Sequence, residues 1–301
     1  MKYRILGRTG LKVSVVGVGA WQFGGEWGKT FTQTEVDAIL DRAAEEGINL
    51  IDTAECYGDH LSERLIGDYL SRHERDRWVV ATKFGHRFTG FMGRADGFGA
   101  EDVRAQLVGS LRALRTDRID IYQFHSGPDA AFLDEGLRAF LDEARRSGMV
   151  RNLGLSIRGS GSDVQTREAF ARGYGVLQVL YNRLDARAES EVFPTARRHN
   201  LGVLSRVPLA SGLLTGKYKA GDTFGPDDFR STLAPAEITR RVRLAEKLAE
   251  EELPPGVSRV RWALAWCLRD PVVTAVIPGA KTPEQIAENA SAADLLAEKT
   301  P

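Results

Sequence analysis

Residues 48–58 read INLIDTAECYG: an apolar run ends on Asp52, and Cys56 and Tyr57 follow closely. Seven further short apolar runs occur along the chain, and longer segments with helical spacing separate them. These runs are VSVVGVG, WVVATKF, IDIYQFH, RNLGLS, GVLQVL, GVLSRV and VTAVIPG. Such alternation predicts an α/β fold of parallel strands joined by crossover helices, closed into a (β/α)8 TIM barrel. An open doubly wound sheet is the competing architecture.

Two segments stand outside the alternation. Residues 3–14, YRILGRTGLKVS, carry apolar residues on both sides of a turn sequence and predict an N-terminal β-hairpin that covers the closed bottom of the barrel. Residues 258–269, SRVRWALAWCLR, predict an extra C-terminal helix capped by Ser258. In the first long helical segment, TEVDAILDRAAEEG, Thr34 is the expected N-cap.

The composition favours one barrel domain that acts on a small molecule. The chain has 301 residues, of which 43% are hydrophobic, and no repeat or low-complexity linker divides it, so residues 1–301 are predicted to form a single domain. Lysine plus arginine equals aspartate plus glutamate at 41 each. Zero net charge does not favour nucleic acid or an anionic membrane as a partner. Because a barrel buries its own core, a monomer is expected.

The first residues, MKYRILGRTG, lack the apolar core of a secretory signal, and no apolar run approaches the roughly 20 residues of a membrane span. A cytoplasmic location is therefore expected. Cys56 and Cys267 lie far apart and outside any CxxC or His/Cys cluster, so neither a disulfide framework nor a metal site is expected.

Polar residues follow or interrupt five of the apolar runs. They are Asp52, Lys83, His125, Ser156 and Gln178. Taken singly, each has an ordinary interpretation as a cap, a solvated strand-end lysine or a satisfied core histidine. In a (β/α)8 barrel, however, the carboxyl ends of the strands converge on one mouth, so the five side chains are expected to meet there.

An acid, a lysine and a phenol near one another form a recognisable chemical device. The ammonium of Lys83 would favour the phenolate of Tyr57 and lower the phenol pKa from about 10, while Asp52 holds the lysine charged and oriented. A carbonyl that receives hydride develops negative charge on oxygen and needs such a proton donor.

The ordered motifs resemble the aldo-keto reductase superfamily over nearly the whole chain. They are INLIDTAECYG, WVVATKF, IDIYQFH, GLS, LQVLYN, PLASGLLTGKY and VIPGAKTPEQIAEN. The resemblance implies a barrel that reduces an aldehyde, ketone or sugar carbonyl, reversibly, with NADPH favoured and NADH possible. It implies a catalytic tetrad of Asp52, Tyr57, Lys83 and His125, with Tyr57 as the general acid/base and no metal.

The resemblance also assigns residues to the cofactor. Ser156 and Gln178 would bind the nicotinamide carboxamide, and Asp52 and the first loop, with Gly19, Ala20 and Trp21, would lie nearby. The segment after Arg206 would wrap the pyrophosphate. Lys281, Gln285, Glu288 and Asn289 would hold the adenosine end of the cofactor. The full cofactor set is Gly19, Ala20, Trp21, Asp52, Ser156, Gln178, Arg206, Pro208, Leu209, Ser211, Gly212, Leu214, Lys217, Gly279, Lys281, Gln285, Glu288 and Asn289.

Three positions depart from the commonest family pattern. Ile157 stands where an asparagine usually follows the serine, and Gln285 stands where many NADPH-using members have arginine. Arg206 stands where an aromatic ring commonly stacks on the nicotinamide. A guanidinium plane stacks on rings but is unfavourable beside a cationic one, so we hypothesise that Arg206 discriminates against NADP⁺ relative to NADPH.

The expected substrate pocket is aromatic and is lined by Trp21, Phe23, Trp27, Tyr57 and Phe88. Two alternatives stay open. Some members resemble NADPH-binding auxiliary subunits of membrane proteins, with slow turnover and a sensor role. A Schiff-base aldolase would instead use Lys83 as its nucleophile, although a paired Asp52 would keep that lysine charged.

Overall fold

The computed structural model describes residues 1–158 and 163–297. The strands within these ranges are β1 (Tyr3–Ile5), β2 (Lys12–Ser14), β3 (Val18–Gly19), β4 (Leu50–Asp52), β5 (Val79–Phe84), β6 (His86–Gly90), β7 (Gly93–Asp96), β8 (Ile119–His125), β9 (Val150–Ser156), β10 (Tyr174–Leu180), β11 (Gly202–Arg206) and β12 (Val273–Val276). The helices there are α1 (Gln33–Glu45), α2 (Leu61–Leu70), α3 (Ala100–Ala113), α4 (Asp129–Phe132), α5 (Glu135–Arg146), α6 (Asp163–Glu168), α7 (Ala188–Glu191), α8 (Phe193–His199), α9 (Pro235–Glu252), α10 (Arg259–Leu268) and α11 (Pro283–Ala290).

Eight of the described strands form one parallel sheet in the order β3-β4-β5-β8-β9-β10-β11-β12. Parallel bridges from Val16 to Val276 and from Gly19 to Gly279 join the last strand to the first. The predicted (β/α)8 barrel is therefore confirmed, and the open doubly wound sheet is wrong. No helix among the described residues is both long and apolar enough to cross a bilayer.

The predicted N-terminal hairpin is present and covers the bottom of the barrel. Strands β1 and β2 pair antiparallel, with Tyr3 opposite Ser14. Leu6, in the turn of the hairpin, is fully buried and belongs to the same apolar cluster as the strand residues Leu50 and Ile121 inside the barrel. Burial of a leucine-sized side chain contributes about 1.5–3 kcal/mol, so the hairpin adds to the stability of the barrel core.

Side chains inside the barrel change from apolar to polar toward the carboxyl ends of the strands. Leu50 and Ile121 lie in the apolar cluster, and Asp52 and Gln123 follow them by two residues on the same face. All four side chains are buried. The lower layer therefore forms a packed core and the upper layer presents polar groups to the mouth.

Helix caps explain where two predicted helices begin. The hydroxyl of Thr32 accepts a hydrogen bond from the Glu35 amide, and the Glu35 carboxylate accepts from the Thr32 amide, which completes a capping box. The prediction that Thr34 caps this helix was wrong, since Thr34 lies inside α1. Ser258 caps α10 by accepting from the Arg261 amide, as predicted.

The glycine-rich segment 90–99 is an ordered hairpin for most of its length. Strands β6 and β7 pair antiparallel from His86 opposite Asp96 to Gly90 opposite Gly93. The β6–β7 hairpin bends over the barrel mouth, where its Met92 amide donates to the Glu26 carboxylate at 3.0 Å.

Candidate active site

A buried ion pair lies at the centre of the barrel mouth. The ammonium of Lys83, on β5, donates to Asp52 Oδ1 at 2.6 Å, to the Thr53 carbonyl at 2.7 Å and to Tyr57 Oη at 3.1 Å. Lys83 is 1% exposed and Asp52 is 3% exposed. The three donor bonds orient the ammonium fully, and one of them points it at the phenol oxygen.

Two glutamines complete the hydrogen bonds of Asp52. Gln123 Nε2 and Gln178 Nε2 donate to Asp52 Oδ2 at 2.8 and 2.7 Å. Gln178 Oε1 accepts from the hydroxyl of Ser156 at 3.3 Å. The carboxylate thus accepts from three side chains, which satisfies a charge that would otherwise be costly to bury.

The loop after β4 positions Tyr57 through close backbone packing. Gly58 has φ +67°, and a Cβ added there would lie 2.5 Å from the Gly24 carbonyl oxygen. A Cβ on Gly24 would in turn lie 2.7 Å from the Tyr57 carbonyl carbon. Only glycines allow this approach, which brings the Trp21 ring alongside the Tyr57 ring at a centroid distance of 5.9 Å.

The electrostatics of the phenol differ from the expectation. Burial raises the pKa of Tyr57 above its ordinary value, although the Lys83 ammonium acts to lower it. Burial acts to lower the pKa of Lys83, but Asp52 and Tyr57 raise it on balance. The predicted lowering of the Tyr57 pKa below 10 was therefore wrong, and Tyr57 carries its proton at neutral pH.

His125, at the end of β8, faces the same cavity as a neutral imidazole. Burial, followed by the nearby charges of Lys83 and other cations, holds its pKa well below the ordinary value. Its Nδ1 lies 3.7 Å from Cys56 Sγ, and its ring centroid lies 6.2 Å from that of Tyr57. A neutral imidazole carries one N–H and can donate it to a carbonyl oxygen.

A cavity of about 740 Å³ opens at this mouth and is lined by Tyr57, His125, Trp21 and Trp27. Most of the residues predicted to contact the cofactor also line it. They are Gly19, Ala20, Trp21, Asp52, Gln178, Arg206, Pro208, Leu209, Ser211, Gly212, Lys217, Gly279, Lys281, Gln285, Glu288 and Asn289. The cavity is long enough to pass from the catalytic cluster to α11.

Other predicted residues lie away from the cavity wall. Ser156 and Leu214 are buried behind it, where Ser156 supports Gln178. Phe23 packs in the core against Phe31, at a ring centroid distance of 5.3 Å. Phe88 lies beside the guanidinium of Arg94, 5.3 Å from it, on the β6–β7 hairpin. The structure therefore corrects the expectation that Phe23 and Phe88 line the substrate pocket.

The segment after β11 has an unusual backbone. Val207, Ala210 and Ser211 have φ of +54°, +50° and +61°, and Gly212 has φ +89°. A β-branched residue is rare in this conformation. The Asn182 side chain donates to the Val207 carbonyl at 3.0 Å and holds the start of the turn. Such left-handed turns present backbone amides in a concave arrangement that suits phosphate oxygens.

Several positively charged side chains lie at the end of the cavity next to α11. Burial and then the charge of Arg230 lower the pKa of Lys281, and Lys217 contributes in the same direction. The ammonium of Lys281 donates to the Trp27 carbonyl. Asn289, 3% exposed, has an amide Nδ2 with no hydrogen-bond partner among the described residues. These groups favour the binding of an anionic group and, beside it, of a hydrogen-bond acceptor.

A sequence model described as the Aldo/keto reductase family matches residues 15–300. The chain belongs to the aldo/keto reductase family. It is 32% identical over 299 residues to the uncharacterized oxidoreductase YqkF of Bacillus subtilis (strain 168), covering 98% of this chain and 92% of that protein. Among solved structures, the holo form of the aldo-keto reductase AKR11C1 from Bacillus halodurans matches with a TM-score of 0.82 and 29% identity, over 99% of this chain and 93% of that one.

A further relative is a probable voltage-gated potassium channel subunit beta of Oryza sativa subsp. japonica, 32% identical over 318 residues, with 100% of this chain and 94% of that protein covered. The resemblance inferred from the motifs is confirmed. Family membership and the oxidoreductase relatives identify the chain as an oxidoreductase, and aldo/keto reductases use nicotinamide cofactors.

Sequence reasoning missed several residues of this aldo/keto reductase mouth. Gln123 lies two residues before His125 and so shares its face, a signal that the motif already contained. The β6–β7 hairpin brings Arg94 to the cavity, and the segment around Phe229 brings Arg230. No periodic pattern marks these loop residues, because their positions depend on contacts between distant segments.

Proposed function

We propose that this aldo/keto reductase reduces the carbonyl of an aldehyde, ketone or sugar to the alcohol, reversibly, with Tyr57 as the general acid/base. NAD(P)H, when bound in the cavity, would supply the hydride that the carbonyl carbon accepts. Tyr57 Oη gives its proton to the carbonyl oxygen. The observation that carries the proposal is the chain of hydrogen bonds from Asp52 through Lys83 to Tyr57 Oη, at 2.6 and 3.1 Å.

Each member of the cluster has a physical role in this reaction. Tyr57 enters it protonated, because burial raises its pKa. The Lys83 ammonium stabilises the phenolate that remains after the proton has moved, and Asp52 keeps that lysine charged. His125 stays neutral and donates its N–H to the developing oxyanion.

The remainder of the cavity supports NADPH as the preferred cofactor and NADH as the weaker one. The left-handed turn at Ser211 and Gly212 suits the pyrophosphate. Lys281 and its cationic neighbours suit the 2′-phosphate, since an added dianion relieves their mutual repulsion. The unpartnered Nδ2 of Asn289 suits an acceptor nitrogen of the adenine. Gln178 is proposed to reach the nicotinamide carboxamide through its Oε1.

The test compares Tyr57→Phe with the unchanged protein across aromatic, aliphatic and sugar carbonyls, following NADPH consumption. Loss of a general acid lowers turnover by about 10²–10⁴-fold, while the NADPH dissociation constant should stay the same. Tyr69→Phe is the matched control, because that phenol bonds Asp41 outside the cavity. Full turnover in Tyr57→Phe would disprove the assignment.

A second candidate is an NADPH-binding auxiliary subunit with slow turnover, suggested by the name of the rice relative. It predicts tight NADPH binding with negligible turnover on every carbonyl of the panel and with the corresponding alcohols. The aldolase alternative is disfavoured by the geometry, since the Lys83 ammonium bonds Asp52 at 2.6 Å and its pKa is raised, which leaves no free amine for a Schiff base.

A further inference from the structure

Glu26 joins three loops of the barrel mouth. Its Oε2 accepts from Trp21 Nε1 at 2.7 Å and from Arg94 Nη2 at 2.6 Å, and its Oε1 accepts from the Met92 amide at 3.0 Å. Its backbone carbonyl accepts from the Phe229 amide at 2.9 Å. Glu26 is 2% exposed. This arrangement, the Glu26 clamp, fixes the β6–β7 hairpin over the cavity.

The clamp places the guanidinium of Arg94 beside the reacting groups. Arg94 lines the cavity together with Cys56, Tyr57 and His125. Its side chain contacts the Cys56 thiol, and its charge is among the causes that lower the pKa of His125. Arg94 therefore lies next to the position that a carbonyl bound between Tyr57 and His125 would take.

Arg94 keeps donors available for a ligand. A guanidinium has five N–H bonds. Arg94 Nη2 donates to Glu26 and Nη1 donates to the Gly93 carbonyl at 2.7 Å. Arg94 lines the cavity, and the Glu26 carboxylate balances the charge of its guanidinium, so its remaining N–H groups suit a neutral oxygen better than a second carboxylate.

We propose that Arg94, oriented by Glu26, binds a hydroxyl or carbonyl oxygen adjacent to the reacting carbonyl, and that the preferred substrates are α-oxygenated carbonyl compounds. The inference deepens the proposed function, because it names the substrate class of the same site. A site that donates to a substrate oxygen selects against the analogue that lacks it, since the donor would otherwise be buried without a partner.

The test uses 2-hydroxyacetophenone and propiophenone, which differ only by hydroxyl for methyl. Their dissociation constants are measured from NADPH fluorescence with the Tyr57→Phe protein in complex with NADPH, where turnover does not interfere. We expect the hydroxyketone to bind about tenfold or more tightly. Adding Arg94→Met should abolish the difference, while adding Arg87→Met should preserve it, since Arg87 lies exposed on the same hairpin beside Asp102.

Equal affinities for the two ketones, or a preference that survives Arg94→Met, would overturn the inference. If Arg94→Met does not fold, Glu26→Gln/Arg94→Met carries the same comparison without leaving a buried carboxylate unpaired. Turnover is measured separately with Tyr57 intact. A binding preference without any turnover would refute the proposed reduction and leave the substrate-binding role of Arg94 standing.

Discussion

At the scale of single residues, the acidity of Tyr57 results from two opposing influences. Removal from water favours the neutral phenol and raises the pKa, whereas the Lys83 ammonium favours the phenolate and lowers it. The effect of burial outweighs that of the ammonium, so the pKa of Tyr57 is raised. The sequence places these two residues at one mouth, but the balance between them depends on how completely the surrounding loops exclude water.

The pH dependence of the two reaction directions should follow from this balance. Reduction needs protonated Tyr57, whose pKa lies above 10, and neutral His125, whose pKa lies well below 6.5, so the rate should be flat between about pH 7 and 9. Oxidation needs the phenolate and should rise about tenfold per pH unit over the same range. Steady-state rates of reduction and of oxidation, measured across about pH 7 to 9, test both expectations.

Lys83→Met should move the Tyr57 pKa further up and suppress oxidation at every accessible pH. Lys247→Met is the control, because that ammonium lies on the surface beside Glu251. A reduction rate that titrates near pH 6.5 would contradict the neutral state assigned to His125.

Arg206 tests a departure from the family pattern. It ends β11, lines the cavity, and donates through Nη2 to the Ile157 carbonyl at 3.2 Å. A guanidinium beside the nicotinamide should disfavour the cationic oxidised ring. Arg206→Tyr should therefore raise NADP⁺ affinity relative to NADPH affinity by several-fold, measured by fluorescence titration and calorimetry. The control is Arg183→Met, which removes an ion pair with Glu252 outside the cavity and should leave the ratio of the two affinities as it is. If Arg206→Tyr also leaves that ratio unchanged, the hypothesis is refuted.

At the scale of elements, caps and short hairpins are decided by contacts within a few residues, yet neighbouring candidates compete. Thr32 and Thr34 both precede the apolar face of α1. Thr32 is the N-cap because Glu35, three residues later, reaches back to the Thr32 amide. In the segment from Gly90 to Gly93 the glycines indicate a turn, but they do not indicate the strands beside it. The hairpin forms because β6 and β7 pair across that turn.

Thr32→Ala should lower the free energy of unfolding by about 1 kcal/mol, since it leaves a helix amide without its acceptor. Thr34→Ala, at an exposed position within α1, should change it by less than about 0.5 kcal/mol. Urea denaturation followed by circular dichroism measures both. An equal effect of the two substitutions would count against the capping box.

At the scale of the whole molecule, the hairpin of β1 and β2 closes the end of the barrel opposite the catalytic mouth. Leu6→Ala should cost about 2–5 kcal/mol of unfolding free energy, because it leaves a cavity in the apolar layer beneath Asp52 and Gln123. Ile5→Ala is the control, since Ile5 is 56% exposed. Similar unfolding midpoints for Leu6→Ala and the unchanged protein would show that the hairpin is not part of the core.

Light scattering should give the mass of one chain, 33.1 kDa, because the barrel buries its own core. A mass of two or more chains would contradict this expectation.

The order of the strands, the hairpin, the α10 cap and the convergence of Asp52, Lys83 and His125 could be predicted from the sequence. Strand periodicity is local, and a closed barrel of parallel strands brings strand ends together whatever the details of packing. The burial of Phe23, the bonds of Gln123 to Asp52, the raised pKa of Tyr57 and the Glu26 clamp could not. They depend on contacts between segments far apart in the chain and on how much water those contacts exclude. Neither the contacts nor the exclusion of water can be inferred from any single stretch of residues.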